Sequence, residues 1–210
     1  MRGQGFELQP SAKPHVGFSL TELVVALATA MILMAVGMPA FIRAYRAYEL
    51  SNAARQVADI LRLARYEAIR LNTPVQCLIQ ASVSNPGYTN VWVDSIPNLT
   101  PDPTEKMILL GPAGNLVDGG SVPNTASLIS AAVGSFATTP PSPILSGVAF
   151  DARGAVVVSL TAVVPLNKVA VFYLCSAVAP DAGYRAVFLM PAGSIQIWTA
   201  DTSGNWQQQR

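Results

Sequence analysis

The sequence predicts an α+β protein in which one long N-terminal helix packs on an antiparallel β-sheet domain. Three observations support this fold class. Residues 23–42 are a run of 20 residues without a charge. Residues 50–71 repeat apolar side chains at the spacing of one helix face. Beyond residue 74 the chain breaks into short β-prone runs, each bounded by Gly, Pro, Asn or Ser.

The uncharged run, residues 23–42, contains a single hydroxyl, Thr29. A helix rises about 1.5 Å per residue, so this run covers about 30 Å, the hydrocarbon thickness of a bilayer. Because a helix satisfies its own backbone groups inside lipid, we expect it to form despite Gly37 and Pro39, which are expected to permit bending. The sequence therefore predicts a transmembrane helix over residues 18–42.

Residues 1–17 are polar and irregular, and we predict that they are a leader rather than a folded element. Ala28-Thr29-Ala30 imitates the small-x-small site of a secretory signal. However, the apolar run continues twelve residues beyond that site, so a cut there would leave half a membrane helix.

Glu22 stands at the start of the apolar run, where an unpaired carboxylate is costly. One interpretation is a capping box, because Ser19 and Glu22 have the spacing at which both side chains bond free backbone N–H groups. The other interpretation requires a cut after Gly17. The new amine of Phe18 would then lie one helical turn from the carboxylate, within one subunit or between neighbours.

The segment Gly17-Phe18-Ser19-Leu20-Thr21-Glu22, followed by about twenty apolar residues, resembles the type III signal of type IV prepilins and type II secretion pseudopilins. Pro39 is the twenty-second residue counted from Phe18, where this family commonly has a helix-bending proline. The resemblance implies cleavage after Gly17 by a prepilin peptidase and methylation of the Phe18 amine. It also implies that Glu22 guides docking into a filament, with the leader in the cytoplasm and the remainder outside.

The helix is predicted to continue as an amphipathic segment over residues 43–72. Charges at positions 55, 59 and 62 are spaced so that opposite signs can meet. Pro74 ends the helix, because the residue before a proline is pushed out of helical space. The apolar stripe must be covered, most simply by a sheet of the same chain, although a coiled coil with a partner is the alternative. The stripe comprises Leu50, Ala54, Val57, Leu61, Ala64, Ala68 and Leu71.

Residues 73–210 are predicted to form a β-rich domain whose strands are antiparallel, because their spacing is too short for βαβ units. Asp151-Ala152-Arg153-Gly154 is predicted as a hairpin turn. Residues 111–143 are predicted as a long surface loop with one strand near residues 127–133. The tail, residues 206–210, is predicted as a frayed terminus rather than a partner contact. The other strands are expected at 75–80, 90–93, 106–110, 145–150, 155–160, 169–175, 185–190 and 194–199.

Two later segments narrow the resemblance and extend it over nearly the whole mature chain. Residues 64–70, followed by Pro74 and a cysteine-bearing strand, resemble the helix-to-sheet junction of GspH/FimT-type pseudopilins, which implies a pilin-like fold. Residues 148–154 resemble that family's Phe-Asp-x-x-Gly hairpin. Some type IV pilus members bind DNA through a Gly-Arg-x-Arg motif. The matching place here, residues 193–196, lacks both arginines, which argues against DNA binding.

Charge and residue inventory argue against several function classes. Residues 73–210 carry five basic and seven acidic side chains, so bulk electrostatics suggest no nucleic-acid partner. The only histidine, His15, lies in the predicted leader, so Ser–His or Cys–His nucleophile activation is missing from the mature chain. Two cysteines cannot build a tetrahedral zinc site, and no metal or cofactor is expected. Cys77 and Cys175 could pair as a disulfide, or lie as two small buried hydrophobes in separate strands.

Together these features predict a structural subunit and not an enzyme. The resemblance implies a minor pseudopilin of a type II secretion system, held in the bacterial inner membrane by one helix with its C-terminal domain in the periplasm. Expected partners are the prepilin peptidase, other pseudopilins or pilins in a filament, and membrane lipid. Two alternatives remain open: a minor pilin of a type IV pilus, serving assembly or DNA uptake, and a membrane-anchored enzyme or binding protein unrelated to filaments.

Overall fold

The α+β fold class is confirmed by a computed structural model, in which a long N-terminal helix precedes and packs on antiparallel sheets. The chain separates into two compact units, with the boundary between Phe41 and Ile42. The predicted cleavage residues, Gly17 and Phe18, lie outside the described residues. The structure describes residues 19–134, 137–139, 147–157 and 168–209.

Helix α1 spans Leu20–Leu71 and includes both Gly37 and Pro39.

The helix ends just before Pro74, as the sequence predicts, and a C-terminal cap closes its last turn. Asn72 adopts a left-handed conformation with φ of 53°. The Thr73 amide donates to the Ala68 carbonyl, and the Asn72 amide donates to the Ile69 carbonyl, each at 3.3 Å. These are the two bonds of a Schellman cap, which satisfies carbonyls that the helix end would leave free.

The apolar stripe of α1 is covered by sheets of the same chain, as predicted. Six of the seven predicted positions are buried, whereas Leu71 at the helix end is 39% exposed. The buried side chains of α1 join one core with residues of both sheets. The coiled-coil alternative is therefore not needed to cover the stripe. The buried positions are Leu50, Ala54, Val57, Leu61, Ala64 and Ala68.

The strands form two sheets rather than one. The first has the order β3-β2-β1-β6-β7 and is antiparallel throughout. Its strands are β1 (Val75–Ala81), β2 (Thr89–Asp94), β3 (Met107–Leu110), β6 (Val148–Phe150) and β7 (Val156–Val157). The predicted turn at Asp151 joins β6 to β7, with the Asp151 carboxylate accepting from the amides of Arg153 and Ala155.

The second sheet has the order β11-β10-β9-β8-β4, and β5 pairs with β8 in parallel, which is the exception to the antiparallel prediction. Its strands are β4 (Asn115–Val117), β5 (Ala137–Thr139), β8 (Lys168–Cys175), β9 (Tyr184–Leu189), β10 (Ile195–Ala200) and β11 (Trp206–Gln209). Short 3-10 helices occupy Gly119–Ser121 and Pro180–Ala182. Parts of the predicted strands at 145–150 and 155–160 lie outside the described residues.

The predicted strand near residues 127–133 is wrong, because this segment lies in helix α2, Thr125–Val133. Its apolar side chains recur at the helical spacing of four, Leu128 with Ala132 and Ile129 with Val133, and together they pack against the second core cluster. That cluster lies on the face of the second sheet opposite to α1, where Phe188 and Trp198 contact edge to face.

The predicted frayed tail is also wrong, because residues 206–209 form β11 and pair with β10. The turn before β11 is held by Asp201, whose carboxylate accepts from the amides of Ser203 and Asn205. The Trp206 indole donates to the Pro123 carbonyl at 3.2 Å. Backbone pairing with β10 and the hydrogen bond of the Trp206 indole stabilise the tail as a strand, which a run of glutamines would not do on its own.

The structure distinguishes between the two predictions for Cys77 and Cys175, a disulfide or two unpaired cysteines in separate strands. Cys77 lies on β1 of the first sheet and Cys175 on β8 of the second, and both are free thiols. The structure therefore contradicts the disulfide and agrees with two cysteines in separate strands, of which Cys77 is buried and Cys175 half-buried.

Arg65 of α1 lies beside one turn of each sheet. Its guanidinium donates to the Gly193 carbonyl at 3.2 Å. The Gly193 turn links β9 to β10, and the Gly154 turn links β6 to β7. A backbone bond from the Val156 amide to the Pro191 carbonyl at 3.0 Å ties the two sheets together beside this arginine.

Gly193→Ala is expected to lower the free energy of unfolding by at least about 2 kcal/mol, since a left-handed residue costs about 1–2 kcal/mol and a crowded site about 1–3 kcal/mol. Gly193 has φ of 79°, and an added Cβ would lie 2.6 Å from the Gly154 carbonyl oxygen and 2.8 Å from Arg65 Nε. Denaturant unfolding of the full chain in detergent measures the change. Gly87→Ala is the matched control, because Gly87 also has a positive φ of 83° but nothing lies within 4 Å of its added Cβ. Equal stability of the two variants would contradict the crowded junction.

Candidate functional site

The first candidate site is the apolar segment of α1, residues 23–42. Each of its large apolar side chains is exposed. Monomeric soluble proteins rarely expose contiguous apolar patches beyond a few hundred Å², so a surface of this kind marks contact with lipid or another protein. The exposed side chains are Leu23, Val24, Val25, Leu27, Met31, Ile32, Leu33, Met34, Val36, Met38, Phe41 and Ile42.

The one polar side chain of this segment bonds within the helix. The single hydroxyl, on Thr29, donates to the carbonyl of Ala26 at 2.9 Å and of Val25 at 3.0 Å. The helix is long and apolar enough to cross a membrane. A side chain that bonds its own backbone costs little inside hydrocarbon, which fits single-pass membrane anchoring. The bending role of Gly37 and Pro39 stays a prediction.

Glu22 lies exposed in the first turn of α1. The Ser19 carbonyl accepts the first helical bond, from the Leu23 amide at 3.1 Å, while the Ser19 hydroxyl lies 2.8 Å from the Thr21 hydroxyl. The Ser19 side chain is therefore bonded to another side chain. The hydrogen bonds and ion pairs between described residues include none with the Glu22 carboxylate. The helix dipole favours an acid here, and the carboxylate is accessible to a partner.

A second site joins α1 to the second sheet, and sequence reasoning missed it. Arg185 of β9 is only 7% exposed. Its guanidinium donates to Ser51 Oγ at 3.0 Å and to the Ala47 carbonyl at 3.3 Å, both on α1. It also donates to the Tyr184 carbonyl at 2.8 Å. The signal available in the sequence was a basic residue inside an otherwise apolar strand.

Burial lowers the pKa of the Arg185 guanidinium from its ordinary value, because desolvation disfavours the charged form. Hydrogen bonds to carbonyls and a hydroxyl offset this cost, and the ion pairs between described residues do not include Arg185. Arg185 therefore links helix α1 to strand β9 through buried hydrogen bonds, and we call this contact the Arg185 link.

Neither cysteine thiol is activated as a nucleophile. Burial raises the pKa of the Cys77 thiol to about 12 and also raises the pKa of Cys175, so neither forms a thiolate readily at neutral pH. An open groove of about 360 Å³ between α1 and the β10–β11 hairpin is lined by arginine, aspartate, glutamine and isoleucine side chains. No group of three or more His, Cys, Asp or Glu side chains that could hold a metal occurs among the described residues.

A comparison with known protein families finds a match that covers most of the β domain and the C-terminal part of α1. A family model described as type II transport protein GspH matches residues 53–187, more than half of the chain. Searches of curated proteins and of solved structures returned no match. The matched region begins after the apolar segment, so the family match and the N-terminal signal rest on different residues.

Proposed function

This chain belongs to the GspH family of type II transport proteins, and on that premise we propose that it is a structural minor pseudopilin of a type II protein secretion system. The family supports a pseudopilin-like role in assembly rather than catalysis. The observation that carries the proposal is the joining of a GspH domain to an exposed, lipid-length helix headed by one acid.

The proposed life cycle begins with a prepilin that is cleaved after Gly17 by the prepilin peptidase and methylated on the Phe18 amine. The apolar segment stores the subunit in the inner membrane, with the β domain in the periplasm. The same segment then enters the pseudopilus, where other pseudopilins replace lipid around its exposed side chains. This exchange needs no new apolar surface, because every large side chain of the segment already faces outward.

The proposed docking step uses the charge of Glu22 and the new amine of Phe18. In a low-dielectric filament core an unpaired carboxylate and an unpaired amine are each costly, so they are expected to pair within one subunit or between neighbours. Gly37 and Pro39 are expected to let the helix bend or open locally as the subunit leaves the bilayer. The minor-pilin alternative receives no specific support from the described site.

The mature amino terminus tests this proposal. Mass spectrometry of the chain purified from a host with its secretion system is expected to find N-methylated Phe18 and no residues 1–17, because the peptidase removes the leader before assembly. Gly17→Val is the matched variant and is expected to keep the leader, since a branched side chain replaces the glycine at the cut. A mature protein with residues 1–17 intact would contradict the proposal and favour an anchored protein unrelated to filaments.

A further inference from the structure

Four polar or amphipathic side chains follow the apolar segment directly, and we call Arg43, Tyr45, Arg46 and Tyr48 the collar. All four lie on α1 within the second compact unit. Tyr45 is 54% exposed and Tyr48 is 64% exposed. Arg43 is exposed as well, and Arg46 is half-buried. Two large aromatic side chains are thus displayed outward, although the core of the β domain begins only two residues later, at Leu50.

The position of the collar matches the surface of a bilayer. With a rise of about 1.5 Å per residue, the collar extends from about 1.5 Å to about 9 Å beyond Ile42, the last residue of the apolar segment. The polar headgroup region of each leaflet is about 5–8 Å thick. When residues 23–42 span the hydrocarbon, the backbone of Arg43, Tyr45 and Arg46 falls among the headgroups, and that of Tyr48 falls just beyond them.

The chemistry of the collar also matches that region. Tyrosine places its ring against acyl chains and its hydroxyl in water, which is why it is enriched at membrane interfaces. A guanidinium presents a planar fork of donors that suits a phosphate. Between Ile42 and Tyr48 the chain carries two cations and no acid.

The two arginines differ in what surrounds them. Arg46 lies 3.6 Å from the Asp181 carboxylate, which offsets part of its charge. Glu49 follows the collar and so lies farther from the hydrocarbon. Arg43 is nearer to the hydrocarbon, and the ion pairs of the described residues do not include it. Arg43 is therefore the freer ligand for a phosphate.

We propose that the collar binds the phosphate-bearing headgroups of the bilayer surface and fixes the depth of the helix in the membrane. This inference rests on the membrane anchoring in the proposed function and adds the partner that the collar contacts before assembly. Lipid is favoured over a neighbouring subunit because the collar continues the apolar segment without a gap and combines cations with phenols. When the subunit leaves the bilayer for a filament, the collar loses its contacts with the headgroups, and filament contacts must offset the free energy of that loss.

Depth-dependent quenching tests the depth. The full chain carrying Tyr45→Trp is placed in phosphatidylcholine vesicles at about one chain per vesicle, with a nitroxide either on the headgroup or at the acyl-chain end. Emission of the wild-type chain, with its three tryptophans, is subtracted. We expect the headgroup nitroxide to quench the Tyr45→Trp reporter at least twofold more than the acyl-chain nitroxide. Quenching that is absent, equal or stronger from the acyl-chain position would overturn the proposal.

Tyr66→Trp is the matched control, because Tyr66 is 60% exposed on the same helix but lies about 30 Å farther along it. Neither nitroxide is expected to quench it. Equal headgroup quenching of Tyr45→Trp and Tyr66→Trp would overturn the proposal, since it would show the whole helix lying on the surface.

A charge reversal tests phosphate binding. Arg43→Glu in the Tyr45→Trp background is expected to reduce headgroup quenching at least twofold, because a carboxylate repels phosphate. Arg153→Glu, in an exposed turn of the β domain, is expected to leave it unchanged. Unaltered quenching in Arg43→Glu would overturn the phosphate contact. Circular dichroism of both variants checks that they are folded.

Alkaline carbonate separates failure of this inference from failure of the proposed function. A chain that carbonate strips from the vesicles does not span the bilayer, and the proposed anchoring fails together with the collar. A chain that resists carbonate but shows no headgroup quenching at Tyr45→Trp keeps the anchoring and overturns the collar alone.

Discussion

Glu22→Ala is expected to leave the protein expressed and membrane-bound but to reduce its incorporation into pseudopili at least about tenfold. A factor of ten corresponds to about 1.4 kcal/mol, which is less than the usual cost of removing one partner of a buried charge pair. The expected loss rests on Glu22 being exposed in the first turn of α1 and thus free to meet the amine of Phe18. Immunoblots of sheared pseudopili, normalised to the membrane fraction, measure the incorporation.

Two further substitutions at Glu22 separate docking from helix capping. Glu22→Gln keeps a side chain that can cap a helix but loses the charge. If the residue only caps, Glu22→Gln behaves as wild type; if it docks, Glu22→Gln behaves as Glu22→Ala. Glu22→Asp retains the charge and is expected to recover part of the incorporation. Thr21→Ala is the neighbouring control and removes the hydroxyl that pairs with Ser19 together with one methyl group. Wild-type incorporation of Glu22→Ala would rule out the docking role.

Arg185→Ala is expected to lower the free energy of unfolding of the β domain by about 3 kcal/mol, because it removes charged hydrogen bonds of about 1.5–3 kcal/mol each and leaves a cavity. The guanidinium is the polar connection from β9 to Ser51 and Ala47 of α1. Chemical unfolding of the full chain in detergent, followed by tryptophan emission, measures the change. The loss should be smaller than the sum of these bonds, since the Ala47 carbonyl also accepts from Ser51.

Matched variants distinguish the loss of the Arg185 hydrogen bonds from a general effect of losing an arginine on the free energy of unfolding. Arg153→Ala changes an exposed arginine and is expected to stay within about 0.5 kcal/mol of wild type. Arg185→Met keeps most of the volume and removes a desolvated charge, so it is expected to cost less than Arg185→Ala. Ser51→Ala removes one acceptor and should fall between Arg153→Ala and Arg185→Ala. If Arg185→Ala is as stable as Arg153→Ala, the hydrogen bonds from Arg185 to α1 do not stabilise the fold as proposed.

The limits of sequence reasoning are clearest in the segments whose partners are distant. Residues 127–133 contain a short apolar run that suits either a strand or a helix, and packing on the outer face of the second sheet selected the helix. Residues 206–209 were predicted as frayed because a glutamine-rich tail has no pattern of its own. Its structure comes from pairing with β10 and from the Trp206 bond to Pro123.

Local pattern determined the membrane-length apolar segment, the helix through residue 71, the turn after Asp151 and most strands, because each depends on neighbours within a few positions. The same pattern identified the family that the domain match then showed. Tertiary structure alone decided that two sheets pack on one stripe of the helix, that Cys77 and Cys175 are not bonded to each other, and that Arg185 links α1 to β9 by hydrogen bonds. Those outcomes depend on contacts between residues far apart in sequence, whose free energies no short stretch of the chain contains.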